Sequence, residues 1–545
     1  MSIPGSASPL LLASTAAAAG GYQIERSLRF NSADSAYLSR TPASAGNRKT
    51  WTWAGWVKRS ALGGTYDHLF GITTGANDAS FLILTFGSNG IADTLGFQGW
   101  STVYRASSQV FRDASAWCHI VLAVDTTQST AANRIKLYVN GVEITTFSTN
   151  NNPGLNDDLL INSTATHNIG RDTQQSTNFN GYLADIHFID GQALTPSSFT
   201  EVSATTGQLI PKAYAGTYTG NSFWLKFNDN SAATATTLGK DSFLLGNNWT
   251  PNNLSVTAGA GNDSLVDTPT SYGTDTSGVG GVVRGNYATL NALDKATTST
   301  LADGNLQASS GNAWSMVRST IGVSSGKWYW ECNIVSGNNN LNVGIAKNAA
   351  ALSNIVGGDA NGWGYVSTGL KWTNGSGSVY GASFTAGDVM GIAFDADNGT
   401  LTFYKNNTTQ GQAFSGLTNG PYFPALATES TTAWINHGQR AFAYTAPSGF
   451  KALCDTNLPE GTITTSGTYT GNGVADGPFV YLNGVPTAMT VGGNAVTFGT
   501  HADKLSNGFK LRTTSTTYNQ NALSYSYSIT TTGAKFKFAR AQPNP

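Results

Sequence analysis

The run KWYWECNI, Lys327 to Ile334, alternates large apolar and wettable positions. Trp328, Trp330, Cys332 and Ile334 share one face, and Lys327, Glu331 and Asn333 are among those on the other, which predicts a half-buried strand. A second signal lies in DVMGIAFDADNGTLTFYKNN, where two alternating runs flank Asp395 to Gly399. Asn398-Gly399 supplies the φ > 0 conformations of a tight turn, so the two runs should pack as one hairpin. The same period returns near the start, where Trp51 and Trp53 lie on one face and Gly55 marks a bulge or bend that turns Trp56. Each such ring, fully buried, contributes about 1.5–3 kcal/mol or somewhat more, so these are core positions first.

Composition agrees with strands joined by turns. In 545 residues only 11% are charged, 63 are glycine, and Ser, Thr and Asn crowd the segments between apolar runs. That length suits three or four domains, each able to bury a core. A formal net charge of −1 with no basic run of five residues argues against nucleic acid as a partner. Cys118, Cys332 and Cys454 are far apart and show neither a disulfide framework nor a zinc spacing. Leu10 to Ala19 is apolar, but no Lys or Arg precedes Arg26 and the run is too short to cross a bilayer. Residues 1–24 therefore read as a flexible or partner-bound arm instead of a cleaved leader or a membrane span.

Taken in order, the blocks suggest named folds. From Glu25 come SLRFNSADSAYLSRTPASAGNRKTWTWAGWVKRS, WCHIVLAVD, NRIKLYVNGVEITTF with its Asn140-Gly141 turn, and FNGYLADIHFIDGQALTPSSF. These resemble the LamG, or concanavalin A-like, sandwich over residues 26–212, with NSFWLKFNDNS and LGNNWTPNNLSV returning to it or decorating it, so a domain over 25–256 is expected. Residues 257–310 are Thr-, Ser-, Gly- and Asp-rich and should be a linker, or ordered only by packing along neighbours. GKWYWE, GWGYVS, YGASFTAGDVMGIAFD, GTLTFYKN and the Phe450 segment then resemble the SPRY domain, expected over 311–453. Residues 454–545, with strands around LSNGFKLR and Lys535 to Phe538, read as a small C-terminal β domain. The expected class is all-β: tandem jelly-roll or concanavalin A-like sandwiches, LamG-like then SPRY-like, plus that last domain.

Catalytic patterns are weak. Glycosidases of concanavalin A-like fold need two carboxylates about 5–9.5 Å apart, whereas Glu25, Glu143, Glu201, Glu331, Glu429 and Glu460 are scattered with no E-x-D-x-E pattern. Asp395, Asp397 and Asn398 begin like a calcium loop but lack its closing Glu, and the same residues serve a hairpin turn. Asp34 is a weaker candidate of LamG type. His68, His119, His167, His187, His437 and His501 show no zinc spacing, so no metal or other cofactor is expected. Asn162-Ser-Thr would be a glycan acceptor only in a eukaryotic secretory setting. Trp363, Tyr365, Trp372 and Tyr380 fall in a Gly/Asn-rich region outside the alternating strands, where exposed rings could stack on a sugar face or anchor a protein, or else plug the sandwich.

The block order, and SLRFNSADSAYLSRTPASAGNRKTWTWAGWVKRS especially, is similar to tail-fibre and other virion proteins of marine bacteriophages. His437 stands where that group often carries an aromatic in an N-F-G-Q-R motif. The resemblance implies a non-enzymatic virion component, assembled in the bacterial cytoplasm, that attaches to other virion proteins through the N-terminal arm, trimerises, and binds a host-surface glycan or receptor through sandwich loops, without membrane insertion. A capsid decoration or head-fibre protein and a capsular polysaccharide depolymerase remain open alternatives.

Overall fold

The computed structural model describes residues 21–458, apart from 65, 175–176 and 204–207, and seven further strands between Ile463 and Thr531. Among these residues strands dominate, and helix is confined to short 3-10 turns at Ala131–Asn133, Pro196–Ser198 and Asp455–Asn457. The chain is all-β, as its alternation requires.

Two eight-stranded sheets form the first sandwich. In one, Thr50–Arg59 runs between Cys118–Asp125 and Gly181–Asp190; in the other, Phe81–Ser88 runs between Asp67–Thr73 and Ile91–Gly99. Trp51, Trp53 and Val57 meet Phe70, Leu84 and Phe97 between the sheets. Trp51 stands edge-on to Phe97 at 5.9 Å, and Trp53 stacks on Phe70 at 6.2 Å. Trp56 faces the other way, beside His119 at 5.1 Å. The break in pairing expected at Gly55 lies instead on the neighbouring strand, between Ala184 and His187, where Asp185 has φ 52°. Phe223–Leu225 and Thr250–Asn252 add to the two sheets, and Trp249 joins the core.

The second sandwich is a single 12-stranded sheet folded over its own core. Lys327–Ala346 spans both halves, pairing first with Val389–Asp395 and then with Gly362–Val366. Between the halves its register against Phe423–Asn436 shifts twice. Gly337, at φ 103°, sits at this change, and a Cβ there would run into Ser430 O, so only glycine fits.

Trp328, Trp330, Cys332 and Ile334 are buried as their spacing predicts. The opposite face departs from expectation, because Tyr329 and Glu331 are buried too. A remote segment covers them: Phe442 stands edge-on to Tyr329 at 5.0 Å, and the Glu331 carboxylate accepts the N–H groups of Ala443 and Tyr444 at 2.7 and 2.9 Å. The expected hairpin forms, with residues 396–399 as its four-residue turn and Gly399 at φ 63°.

Residues 257–310 are mortar between the sandwiches. Ser264–Leu265 pairs with Ser27–Phe30 of the first, while Leu290–Lys295 and Gln307–Ser310 join the sheet of the second. Arg29 pairs with Asp263 and Asp303, each at 3.0 Å, and Tyr182 donates its hydroxyl to Gly304 O at 2.6 Å. From the other side Arg440 donates to Ala260 O at 2.7 Å. A segment too polar to fold alone is ordered because two finished sandwiches supply its partners. Further on, Ile463–Tyr469 pairs with Tyr525–Thr531 and Ala502–Leu505 with Gly508–Leu511. Residues 1–20 of the arm and Lys535 to Phe538 lie outside the described residues.

Candidate binding surface on the second sandwich

The four rings singled out by sequence do not converge. Trp363 and Tyr365 lie in the strand Gly362–Val366 and Trp372 in Leu370–Thr373, while Tyr380 follows Ser376–Val379 directly. These are strands, not the loops that the composition suggests. Glycines alternate with the rings and hide the period: at Gly364 a Cβ would run into Asn342 Oδ1 and Val356 O.

Tyr365 is fully buried, packs on Tyr380, Phe384 and Phe403 at 5.0–5.4 Å, and donates its hydroxyl to Ala382 O. Tyr380 is half-buried, and its hydroxyl donates to Gly411 O. Burial pushes both phenols up to about 12. These two rings plug the sandwich. Trp363 sits at another corner, edge-on to Tyr422 at 5.5 Å, with Lys347 Nζ 5.9 Å from its ring centre.

Trp372 alone lies on the opposite face. A row of directly paired residues crosses five strands there: Ala425, Gly344, Gly364, Trp372 and Gly377. Among these five Trp372 is the one large side chain, and beyond Ala425 the row continues to the buried Arg318 on a sixth strand. Its half-buried indole leans over Gly377, where a Cβ would stand 2.8 Å from the ring. The segment around Val356 roofs the Gly364 end of the row, whereas every residue of Ser376–Val379 is exposed. Asn374 and Gly375, at φ 51° and 72°, form the two-residue turn that presents this strand. The Asn-Gly pair was a readable hairpin signal that composition obscured.

Residues 327–440 match the SPRY domain family, and residues 31–199 match the concanavalin A-like lectin/glucanases superfamily. The chain joins a concanavalin A-like domain to a SPRY domain. ATP-dependent RNA helicase DDX1 of Xenopus laevis is 32% identical over 156 residues, which are 28% of this chain and 20% of that protein. Probable ATP-dependent RNA helicase ddx1 of Dictyostelium discoideum is 30% identical over 157 residues, 29% of this chain and 20% of that protein. The chain thus spans about a fifth of the length of these curated relatives. Among solved structures, the SPRY domain of human HERC1 is 20% identical, covers 28% of this chain and 99% of its own, and has a TM-score of 0.26. The TRIM65 PSpry domain is 20% identical with coverages of 28% and 92% and a TM-score of 0.24.

The remaining candidates in the SPRY domain act on the fold itself. Asp395 accepts the Asn398 N–H and side-chain amide and pairs with Lys327 at 2.9 Å, and Asp397 accepts the Gly326 N–H at 2.7 Å, so both carboxylates hold strand ends. His437 is buried against Ser319 Oγ at 2.8 Å; burial, with Lys58 and Arg440 nearby, lowers its pKa to about 3. In the concanavalin A-like domain Asp34 bonds to Asn31. Among the described residues no three His, Cys, Asp or Glu side chains gather as a metal site.

Sequence reasoning missed the polar joint around Lys58, Arg29 and Arg440. Each of these residues looks like an ordinary surface charge until its partners arrive from 180 or more positions away.

Proposed function

We propose that this chain is a non-catalytic recognition protein of a bacteriophage particle, a tail fibre or similar appendage that binds a host-surface glycan or protein through its SPRY domain. The observation that carries the reading is Trp372, a partly exposed indole laid over Gly377 beside an open strand. An aromatic face of this kind stacks on the apolar side of a sugar ring or anchors a protein contact. The buried ion pairs of the joint hold the presenting domain on a firm base, which lowers the entropy lost on binding.

Three of the glutamates that a hydrolase could draw on are engaged in structural contacts, which favours binding over cleavage. Glu143 pairs with Lys136 at 2.7 Å, Glu331 caps two backbone N–H groups, and Glu429 accepts from Asn340 at 3.1 Å. The likeness of the block order to virion proteins supports the particle setting, and trimerisation would multiply weak contacts.

The test applies the full chain to an array of bacterial surface polysaccharides and to host cells. Retention of the wild type, its loss in Trp372→Ala and melting midpoints within a few degrees of each other are expected. Equal retention, or shortened polysaccharide after incubation, ends this reading.

A further inference from the structure

We infer that the strand Ser376–Val379 of the SPRY domain is an open sheet edge that takes an extended peptide segment of a partner protein as an added strand. The inference rests on the recognition reading and names the partner's chemistry.

The hydrogen-bond pattern gives the outward groups. Thr373 and Ser376 close the two-residue turn, so they and the Lys371–Ser378 pair exchange backbone hydrogen bonds. The alternation continues at Tyr380, whose N–H reaches Gly369 O at 3.1 Å. Trp372–Gly377 and Leu370–Val379 are the intervening pairs, and they leave the N–H and C=O groups of Gly377 and Val379 pointing away from the sheet.

Three other edges among the described residues are blunted. Thr250–Asn252 carries Pro251, Val142–Glu143 is two residues long and holds a Glu143–Lys136 ion pair, and Thr408–Phe414 pairs with repeated register shifts. Such devices keep edges from pairing with foreign strands. Ser-Gly-Ser-Val has no charge, proline or register shift, and Val379 is 89% exposed.

Its side chains point to the same partner. Gly377 and Val379 share the face that carries Trp372. An incoming strand would place one side chain beside the bare Gly377 against the indole, and another, two residues along, against Val379. The expected ligand is therefore an extended peptide with apolar residues at alternate positions, joined by main-chain hydrogen bonds.

The test pans a displayed library of random dodecapeptides against the full chain. Selected peptides should show alternate apolar residues. They should bind Val379→Pro, which loses only an outward N–H, about tenfold more weakly than the wild type, and should also bind Val379→Lys weakly while keeping affinity for Val379→Thr. Circular dichroism should match in all four proteins; if Val379→Pro departs, Val379→Lys against Val379→Thr decides. Selected peptides that lack alternation, or that bind both edge variants as well as the wild type, overturn the proposal. So does a wild-type dimer that Val379→Lys splits, since a second copy would then occupy the edge. Failed selection with Trp372-dependent polysaccharide retention intact overturns the edge alone and leaves the recognition reading standing.

Discussion

Lys58 Nζ lies 2.7 Å from Asp267 Oδ2, and neither side chain reaches solvent. The ammonium also donates to Asn286 Oδ1 at 2.7 Å and Tyr287 O at 2.8 Å, so all three of its hydrogens are used. Trp117 Nε1 donates to the other Asp267 oxygen at 3.0 Å. One end of this relay belongs to the concanavalin A-like domain and the other to the segment leading into the SPRY domain.

Removing one charge should therefore weaken the joint. Lys58→Met leaves the Asp267 carboxylate buried without its cation, at an expected cost of about 3–5 kcal/mol in chemical denaturation. Lys58→Met combined with Asp267→Asn should cost clearly less than the two single changes added together. Proteolysis of Lys58→Met should begin within residues 257–310.

Acid should be felt through buried histidines. Burial lowers His68 and His167 to about 4, and His119 and His437 to about 3, against about 6.5 in an unfolded chain. Between these values the unfolded state binds more protons, so their contribution is complete above about pH 6.5 and is lost as pH falls. Carboxyls raised by burial, Asp263 to about 6 among them, act in the opposite sense. Comparing two proteins isolates one group: His437→Phe should flatten the fall of stability between about pH 5.5 and 4 by about 1.4 kcal/mol per pH unit. Urea titrations at successive pH values measure it.

The rings should separate by role. Tyr365→Ala empties a core site and should cost about 3–5 kcal/mol, whereas Trp372→Ala should move the melting midpoint by no more than a few degrees and abolish retention on the bound surface. Trp363→Ala, whose ring sits at a different corner with Lys347 and Tyr422, should leave retention unchanged. Paired melting and binding assays check all three.

Two glycines in one row should respond differently. Gly364→Ala meets backbone at Val356 O and the Asn342 side chain, and should destabilise the SPRY domain by about 1–3 kcal/mol. Gly377→Ala meets only the Trp372 indole, which can swing aside. Its stability should stay within about 1 kcal/mol of wild type, while the tryptophan emission shifts as the ring is displaced.

Period-two burial was written in the residues. Trp51, Trp53, Trp328 and Trp330 sit inward as their spacing demands, because alternation along an extended chain follows from local geometry alone. The fold class and the two sandwiches follow from that. What sits on a strand's second face does not, since it depends on segments far away in sequence: Phe442 and the backbone at Ala443 bury the Tyr329 and Glu331 side that looked wettable. For the same reason residues 257–310 read as a tether. Their ordering energy comes from Arg29, Lys58 and Arg440 on domains already formed. Composition placed four rings together as loop residues, and only the pairing of strands sent Tyr365 into the core and left Trp372 beside an open edge. Local alternation determines which residues extend and turn; burial of each face and exposure of each edge are decided by long-range contacts that no window of neighbouring residues contains.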